Sequence, residues 1–529
     1  MKKTAVGICI GLLLLTLVAC GGRSSREGRR AFAPGQTLRI VSGSENRELE
    51  PLIEDFMNKE GVKVEMTYMG SIDIMRQLSA SSMEYDAVWP ANSMWIAMGD
   101  QAHRVKHAES VSITPVVFGI KKSLAQDLGF VGRDDVSIKE IMTVIKEGKL
   151  RFTMTSATQS NSGMSAYMGF LYGLLGSPGM IREEDLDKAE LKENITALLS
   201  GVERSSGSSE WLKTMFLNGD YDAMVNYESL VITTNEELKA QGREELYVVY
   251  PYDGLSISDS PLAYVDQGDS DKEALFLRFQ SYLMSEGVQK KIQKYGRRTG
   301  FEGVAEENLG VFNATEGVKT DKILSPIQMP APEVILKSMD LYQSEFRKPS
   351  LTVYVLDFSG SMSGKGEKEL KAAMDQILDQ TKAKESFLQA REGEENIAVL
   401  FSHKIREVYQ ASGAQDELDN MNAHIASSDP GGGTEMYMAA AEALNICGSY
   451  DVSQYNPAII LMTDGRSEGD IREFTSVYDE MADKIPVFTI LFGNASEDQV
   501  QALAEYTNAR VFDGRTDLIK AFRAAKGYN

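Results

Sequence analysis

From Tyr354 to Met362 the chain reads Tyr-Val-Leu-Asp-Phe-Ser-Gly-Ser-Met. An apolar run ends in a polar turn that presents one carboxylate, Asp357, and two hydroxyls, Ser359 and Ser361, at alternate positions. Hard divalent cations such as Mg²⁺ take oxygen ligands in near-octahedral array, and Asp-x-Ser-x-Ser at a strand end supplies one face of such an array. Two further segments follow, Gly431-Gly432-Gly433-Thr434 and Leu461-Met462-Thr463-Asp464-Gly465, the second again a polar end on an apolar run. Asp, Ser and Gly also crowd ordinary turns for reasons of backbone geometry, so the first segment alone is a weak signal. Thr434 and Asp464, in order behind it at a loop and a strand end, make the signal strong.

Competing chemistries fit less well. Gly360 to Gly366 resembles a phosphate-binding loop, but it has one residue too few between its glycines and no Ser or Thr after Lys365, which excludes nucleotide binding there. Phe358-Ser359-Gly360-Ser361 only approximates a nucleophile elbow, and its hydroxyls are better used as metal ligands. Of the four histidines, His103 and His107 have helical spacing, yet Arg104-Val105-Lys106 between them lacks the Glu of a zinc-protease helix. They read as exposed loop or helix residues. No catalytic residues are assigned, and enzymatic activity is not expected.

The elements that must position the oxygens follow from hydrophobic patterning. Leu351–Leu356, Ile397–Phe401, Ala458–Met462 and Val487–Leu491 are short, nearly continuous apolar runs, as expected for strands buried on both faces. Helix-like stretches alternate with them at Glu367–Gln380, Glu435–Ile446, Ile471–Ala482, Asp498–Tyr506 and Asp517–Ala525. This alternation predicts a doubly wound parallel sheet, in which ligands sit outside the carboxyl ends of the strands. The three polar segments resemble the metal-ion-dependent adhesion site of von Willebrand factor type A domains. That resemblance implies that Asp357, Ser359, Ser361, Thr434 and Asp464 hold a divalent metal directly or through water. Mg²⁺ is the expected ion, with Mn²⁺ or Ca²⁺ as alternatives.

At the other end, Lys2-Lys3 precede an apolar stretch from Ala5 to Val18 and then Ala19-Cys20-Gly21. In charge, length and cleavage region this is a signal peptide, too short for a comfortable membrane span. Leu17-Val18-Ala19-Cys20 resembles the lipobox of bacterial lipoproteins, which implies that Cys20 is lipidated and becomes the mature N-terminus. Gly21–Gly35, rich in Ser, Arg and Gly, reads as a flexible tether. Cys9 leaves with the signal and Cys20 is consumed by lipid, so only Cys447 remains and no intrachain disulfide is expected. The formal charge of −22 becomes −24 once the two signal lysines are gone. Such acidity argues against nucleic-acid binding, which uses basic patches.

Residues 37 to about 310 repeat a different pattern: a strand, a Gly/Ser/Asn turn, then a helix start. Leu38–Ser42 ends in Ser42-Gly43-Ser44, Val62–Tyr68 in Gly70-Ser71, Asp86–Trp89 in Asn92-Ser93, and Arg151–Thr155 in Ser160-Asn161-Ser162. Tyr221–Tyr227 follows, bearing Glu228. Backbone N–H groups and hydroxyls at helix starts favour oxyanions, although Ser, Asn and Gly also serve there as plain caps. Glu45, Glu48 and Glu228 near the presumed cleft would repel an anion or pair with a cationic or amine-bearing solute. Trp89, Trp95 and Tyr227 could line that cleft or fill a core. The order of these segments resembles the extracellular solute-binding proteins of bacterial ABC importers, particularly the two-lobed type that binds phosphate, sulfate or molybdate. On that resemblance Ser42, Ser44, Ser71, Ser93, Ser160, Ser162 and Tyr227 are candidate solute contacts. Thr114–Ile120 and Ser260–Val265 are the expected crossings between lobes.

The expected fold class is therefore α/β: a two-lobed periplasmic-binding-protein-like domain plus a doubly wound, Rossmann-like von Willebrand factor type A domain. The boundaries run 1–19 for the signal, 20–36 for the lipidated Cys and tether, and 37–310 for the solute-binding-like unit, with its second lobe at about 121–260. A connector at 311–349 follows, in which Pro326, Pro330 and Pro332 suggest an extended, semi-rigid link, and 350–529 form the type A domain. The expected function is that of a membrane-anchored lipoprotein at the cell envelope that binds an acidic residue of a protein partner through the metal, with the first half as platform or solute sensor. The alternative is a solute-binding component of an ABC transport system with the type A domain as docking module. A third reading, part of a metal-chelatase or ATP-driven assembly, would need an ATPase on another chain.

Overall fold

Four short strands, β1 (Thr37–Ser42), β2 (Lys63–Tyr68), β3 (Ala87–Trp89) and β4 (Val105–Ser110), begin the chain as described by the computed structural model, which covers residues 36–300, 303–493 and 495–528. The expected signal peptide, Cys20 and tether up to residue 35 lie outside the described residues. The chain then builds β5 (Thr114–Lys121), β6 (Phe152–Thr155), β7 (Val202–Ser206), β8 (Ala223–Tyr227), β9 (Leu246–Val249) and β10 (Ser256–Ser258) before returning with β11 (Pro261–Val265).

Two sheets result. The first has the order β2-β1-β3-β11-β4, with β1 parallel to β2 and β3, and β11 antiparallel to its neighbours. The second has the order β10-β5-β8-β6-β7, with β9 also paired to β5. This is the expected two-lobed α/β arrangement. The crossings are shorter than expected, because Thr114–Ile120 and Ser260–Val265 are largely strand within one lobe or the other. The chain passes between sheets at 111–113 and 259–260. A single bridge between Ile113 and Arg298 adds a third strand of chain at this hinge.

The stretch expected as connector does not stand off from the body. Phe312 and Val318 join one core of the second lobe, while Ile327, Val334, Ile335 and Met339 join the other. The helix Pro332–Leu341 carries these apolar residues at helical spacing, and Tyr342 packs edge-on against Tyr167 at 5.3 Å. Burying this face outweighs the extended preference of the prolines, one of which simply opens the helix.

The C-terminal sheet contains β12 (Ser350–Asp357), β13 (Glu395–Phe401), β14 (Ile405–Ser412), β15 (Asn456–Thr463), β16 (Val487–Leu491) and β17 (Val511–Asp513). Its order is β14-β13-β12-β15-β16-β17, parallel except for the edge strand β14. Alternation along β12 sends Tyr354 and Leu356 to one face and Leu351, Val353 and Val355 to the other. Helices Lys365–Leu378, Gln415–Ser427 and Leu518–Gly527 cover the first face; Met436–Gly448, Arg472–Glu480 and Glu497–Tyr506 cover the second. Cys447 is fully buried in this second layer, where burial pushes its thiol up to about 12 and keeps it inert.

The type A sheet is packed onto the solute-binding-like unit. Trp211, on the second-lobe helix Ser209–Asn218, lies against the C-terminal domain's core, and the Tyr528 ring rests on Gly207. Arg204 donates to the Asn508 carbonyl at 2.7 Å, Asn508 donates to the Met215 carbonyl at 3.1 Å, and Tyr528 donates to Ser208 Oγ at 3.2 Å. The first lobe touches the same domain through Arg76, which bonds the Glu385 carbonyl and lies over the Phe387 ring.

Candidate metal centre

Asp357 is the last residue of β12, the central strand of the C-terminal sheet, and Thr463 is the last of the neighbouring β15. Because the strands are parallel, both deliver their following turns to the same sheet edge. Asp357 is fully buried; the Ser359 N–H donates to its Oδ1 at 2.7 Å and the Thr463 hydroxyl to its Oδ2 at 2.6 Å. The hydroxyls of Ser359 and Ser361 lie 3.0 Å apart, and Ser361 donates to Asp464 Oδ1 at 2.7 Å.

Thr434 arrives from the glycine-rich loop. That loop is stitched to the first by Gly431 N–H to the Phe358 carbonyl at 2.8 Å and Gly360 N–H to the Gly432 carbonyl at 2.9 Å. Gly432 has φ +92°, and a Cβ there would lie 2.4 Å from His403 Nδ1, so conformation and space both require glycine. Thr434 Oγ1 and Ser361 Oγ both face Gly465, at 3.0 and 3.3 Å from where its Cβ would be. The structure therefore brings together all five residues singled out in the sequence. It adds Thr463, whose role depends on reaching across from β15 to β12.

Electrostatically the cluster is short of positive charge. Burial raises Asp357, against the hydrogen bonds from Thr463 and Ser359, and the Asp464 charge raises it further. Burial likewise raises Asp464, against its bond from Ser361. Neither carboxylate has a Lys, Arg or His ion pair among the described residues. Two carboxylates and three hydroxyls form an all-oxygen set without nitrogen or sulfur, which suits a hard divalent cation and not a soft one. No group of three or more His, Cys, Asp or Glu side chains that could hold a metal occurs among the described residues, so any metal here depends on hydroxyl oxygens as well.

The candidate solute contacts sit at the strand-end turns of the two lobes, which touch through the Trp95–Asn161 bond. Ser42 Oγ accepts from Asn46 at 3.0 Å, Ser71 Oγ accepts from the Ala91 N–H at 3.1 Å, and Ser162 Oγ lies 2.8 Å from Thr155 Oγ1 and 3.4 Å from Ser160 Oγ. Tyr227 Oη accepts from Asn161 Nδ2 at 3.0 Å. Ser44 is half-buried and Ser93 exposed, the latter's N–H bonding Asp259 at 2.8 Å.

Other expectations about this region change. Glu228 presents no free charge to the cleft, because Arg298 holds both its oxygens at 2.7 and 2.8 Å and Tyr250 bonds one of them. Trp89 is core, its Nε1 bonding Ser260. Trp95 does reach across the lobes, donating to Asn161 Oδ1 at 2.7 Å. His103 lies in a loop and His107 in β4 beside Glu273 at 2.7 Å, so the two share no helix. Sequence reasoning missed Arg297, which is 1% exposed and donates to Asn46 Oδ1 at 2.8 Å; its only signal was an arginine pair after the last helix of the unit.

Comparison with known proteins agrees with this division. Residues 38–298 match the model of the family described as bacterial extracellular solute-binding protein, and residues 353–520 match that of the von Willebrand factor type A domain. No curated protein matches the chain. Among solved structures, the sulfate-binding protein SubI from Mycobacterium tuberculosis is similar at 16% identity and TM-score 0.41, over 58% of this chain and 98% of that one. The periplasmic binding protein AfuA from Actinobacillus pleuropneumoniae is similar at 14% identity and TM-score 0.39, over 50% and 83%. A von Willebrand factor type A structure from Catenulispora acidiphila is similar at 16% identity and TM-score 0.30, over 35% and 43%. One chain thus carries a bacterial extracellular solute-binding domain followed by a von Willebrand factor type A domain.

Proposed function

We propose that this chain is an exported, lipid-anchored envelope protein that holds a protein partner through a divalent cation at the type A domain. The observation that carries the reading is the convergence of Asp357, Ser359, Ser361, Thr434 and Asp464 at one sheet edge, with two buried carboxylates and no basic ion-pair partner among the described residues. Those five residues would hold Mg²⁺. A bound divalent ion supplies positive charge to the buried carboxylates and a coordination position for a carboxylate of the partner. No helix among the described residues is long and apolar enough to cross a membrane, so in this reading the Cys20 lipid makes the attachment. The solute-binding domain, fused to the type A domain through Trp211 and Tyr528, acts as its rigid platform.

The test is capture of partners from envelope extracts with Mg²⁺ and with chelator, using the wild type, Asp357→Ala and the milder Asp464→Asn. A partner retained in Mg²⁺, released by chelator and lost in both variants supports the reading. Retention that ignores chelator and both substitutions counts against it.

A second reading, a solute receptor for an ABC importer with the type A domain as docking module, is favoured by the family match over residues 38–298 and by the lobe-to-lobe bond between Trp95 and Asn161.

A further inference from the structure

The hydrogen-bond inventory of the cleft specifies the charge of what the cleft can accept. A site for an oxyanion needs unspent donors, whether N–H groups, hydroxyls, Lys or Arg. The nitrogen-bearing side chains nearest the cleft are largely spent on the protein itself. Asn161 Nδ2 donates to Tyr227 Oη at 3.0 Å and Ser258 Oγ at 2.9 Å. Lys213 Nζ serves Thr233 at 3.0 Å, Glu237 at 2.9 Å and Glu48 at 3.4 Å. Both terminal nitrogens of Arg297 are taken, by Asn46 Oδ1 and the Glu45 carbonyl, leaving only its Nε.

Two carboxylate oxygens are left over as well. Glu45 is 5% exposed and its Oε1 is buried with no hydrogen-bond partner; Glu48 Oε2 is buried and equally unpartnered. Both sit in the turn Ser44–Leu49, which packs against the helix Ser209–Asn218 of the other lobe. Ser209 Oγ, from the strand-end turn of the second lobe, is also buried without a partner, and Tyr68 Oη lies at the end of the first lobe's β2; both hydroxyls can accept. The turn that carries Glu45 lies between the lobes, and the Glu45 charge raises the Tyr227 hydroxyl in the second lobe as well as Tyr68 in the first. Burial raises its carboxyl, Arg297 opposes that, and the neighbouring Glu48 charge adds to it. An unpaired buried carboxylate is costly and a bound cation removes that cost, whereas an oxyanion would meet two like charges.

We propose that the cleft between the two lobes takes a small cationic, amine-bearing solute, held by the carboxylates of Glu45 and Glu48. The proposal rests on the reading of residues 38–298 as a working solute-binding domain. An ammonium group offers three N–H donors to the spare carboxylate oxygens, and Tyr68 and Ser209 extend the acceptor surface. The solute enters when the Trp95–Asn161 and Glu48–Lys213 contacts part, and re-forming them closes the lobes over it.

The test is isothermal titration of the full chain in chelator, which silences the metal site, with methylammonium, ethanolamine and putrescine against sulfate and phosphate. At least one amine is expected to bind, with Glu45→Gln weakening it about tenfold or more, as for a buried charge pair that loses one member. Glu48→Gln is expected to weaken it less, because Lys213 already attends that carboxylate. Sulfate or phosphate binding would overturn the amine assignment while upholding a working cleft. Silence from all five probes would overturn both. Amine binding that is unaffected by Glu45→Gln would overturn the site.

Discussion

Ser361 Oγ and Asp464 Oδ1 lie 2.7 Å apart although 103 residues separate them in sequence. This bond ties the turn after β12 to the turn after β15 and brings Asp464 towards the fully buried Asp357, on which its charge acts. Without a cation the pair repel, and desolvation adds to the cost. Mg²⁺ should therefore raise the melting temperature of the wild type and leave Asp357→Ala and Asp464→Asn unmoved. At a hundredfold excess over Kd, linkage gives about 2.7 kcal/mol of stabilisation. In chelator, Asp464→Asn should be at least as stable as the wild type, since it keeps the shape and removes one of the two charges. Thermal denaturation with and without Mg²⁺ measures both effects; a wild type indifferent to the ion would count against the metal centre.

Gly70 meets the second lobe so closely that a Cβ there would stand 2.3 Å from the Gln159 carbonyl oxygen. Backbone on both sides leaves no flexible side chain to give way. Gly70→Ala should therefore part the lobes and break the Trp95–Asn161 bond, with hydrogen exchange rising at both turns and the radius of gyration increasing in small-angle scattering. Unchanged exchange at 70–72 and 159–162 would show that the lobes do not close on this contact.

How far the sequence anticipates all this depends on whether a feature is local. The strand Val487–Leu491 appears with the bounds its apolar run suggests, and Leu351–Leu356 extends only to Ser350–Asp357, because strands buried on both faces must be apolar throughout. The edge strand β14 was invisible for the opposite reason: Arg406, Glu407, Val408 and Gln410 are exposed, so Ile405–Ser412 has no continuous apolar run. Leu418, Met421 and Ile425 did carry a readable helical period for Gln415–Ser427 that went unread. At the candidate metal centre the five residues were legible as ordered motifs, whereas Thr463 was not, because its hydroxyl serves a carboxylate 106 residues away. Glu228 illustrates the same limit, since Arg298, which neutralises it, lies 70 residues away in sequence and is placed by its bridge to Ile113.

Trp211 belongs to the second lobe by sequence but packs against the core of the type A domain, with the Arg510 guanidinium 5.8 Å from its ring. Tyr528 completes the seam from the other side against Gly207. Shared apolar contact of this kind couples the unfolding of two domains. The wild type should melt in one transition, and Trp211→Ala should lower it by about 2 kcal/mol, less than for a fully buried Trp. Trp211→Ala combined with Tyr528→Ala should split the transition in two by differential scanning calorimetry. One unchanged cooperative transition in the double variant would show that the seam does not couple the domains.

Lys526 lies on the C-terminal helix, fully buried, with its Nζ donating to Thr352 Oγ1 at 3.0 Å and 5.7 Å from the Tyr354 ring. Burial lowers its ammonium from 10.5 to about 8, against the attraction of Glu394 and with the repulsion of Arg347. Below about 8 the lysine is charged in folded and unfolded chains alike, and the full cost of burying that charge is present. Between about 8 and 10.5 the folded protein sheds the proton while the unfolded chain keeps it, so the unfolded state binds more protons and stability rises with pH. Lys526→Met fills the same space without the charge and lacks this dependence. The stability of the wild type relative to Lys526→Met should therefore climb across that window, by an amount on the order of a few kcal/mol. Urea denaturation of both proteins across the window measures the difference and cancels the titration of every other group. A flat difference would show that Lys526 keeps its proton through contacts with Glu394 and Thr352 that outweigh its burial.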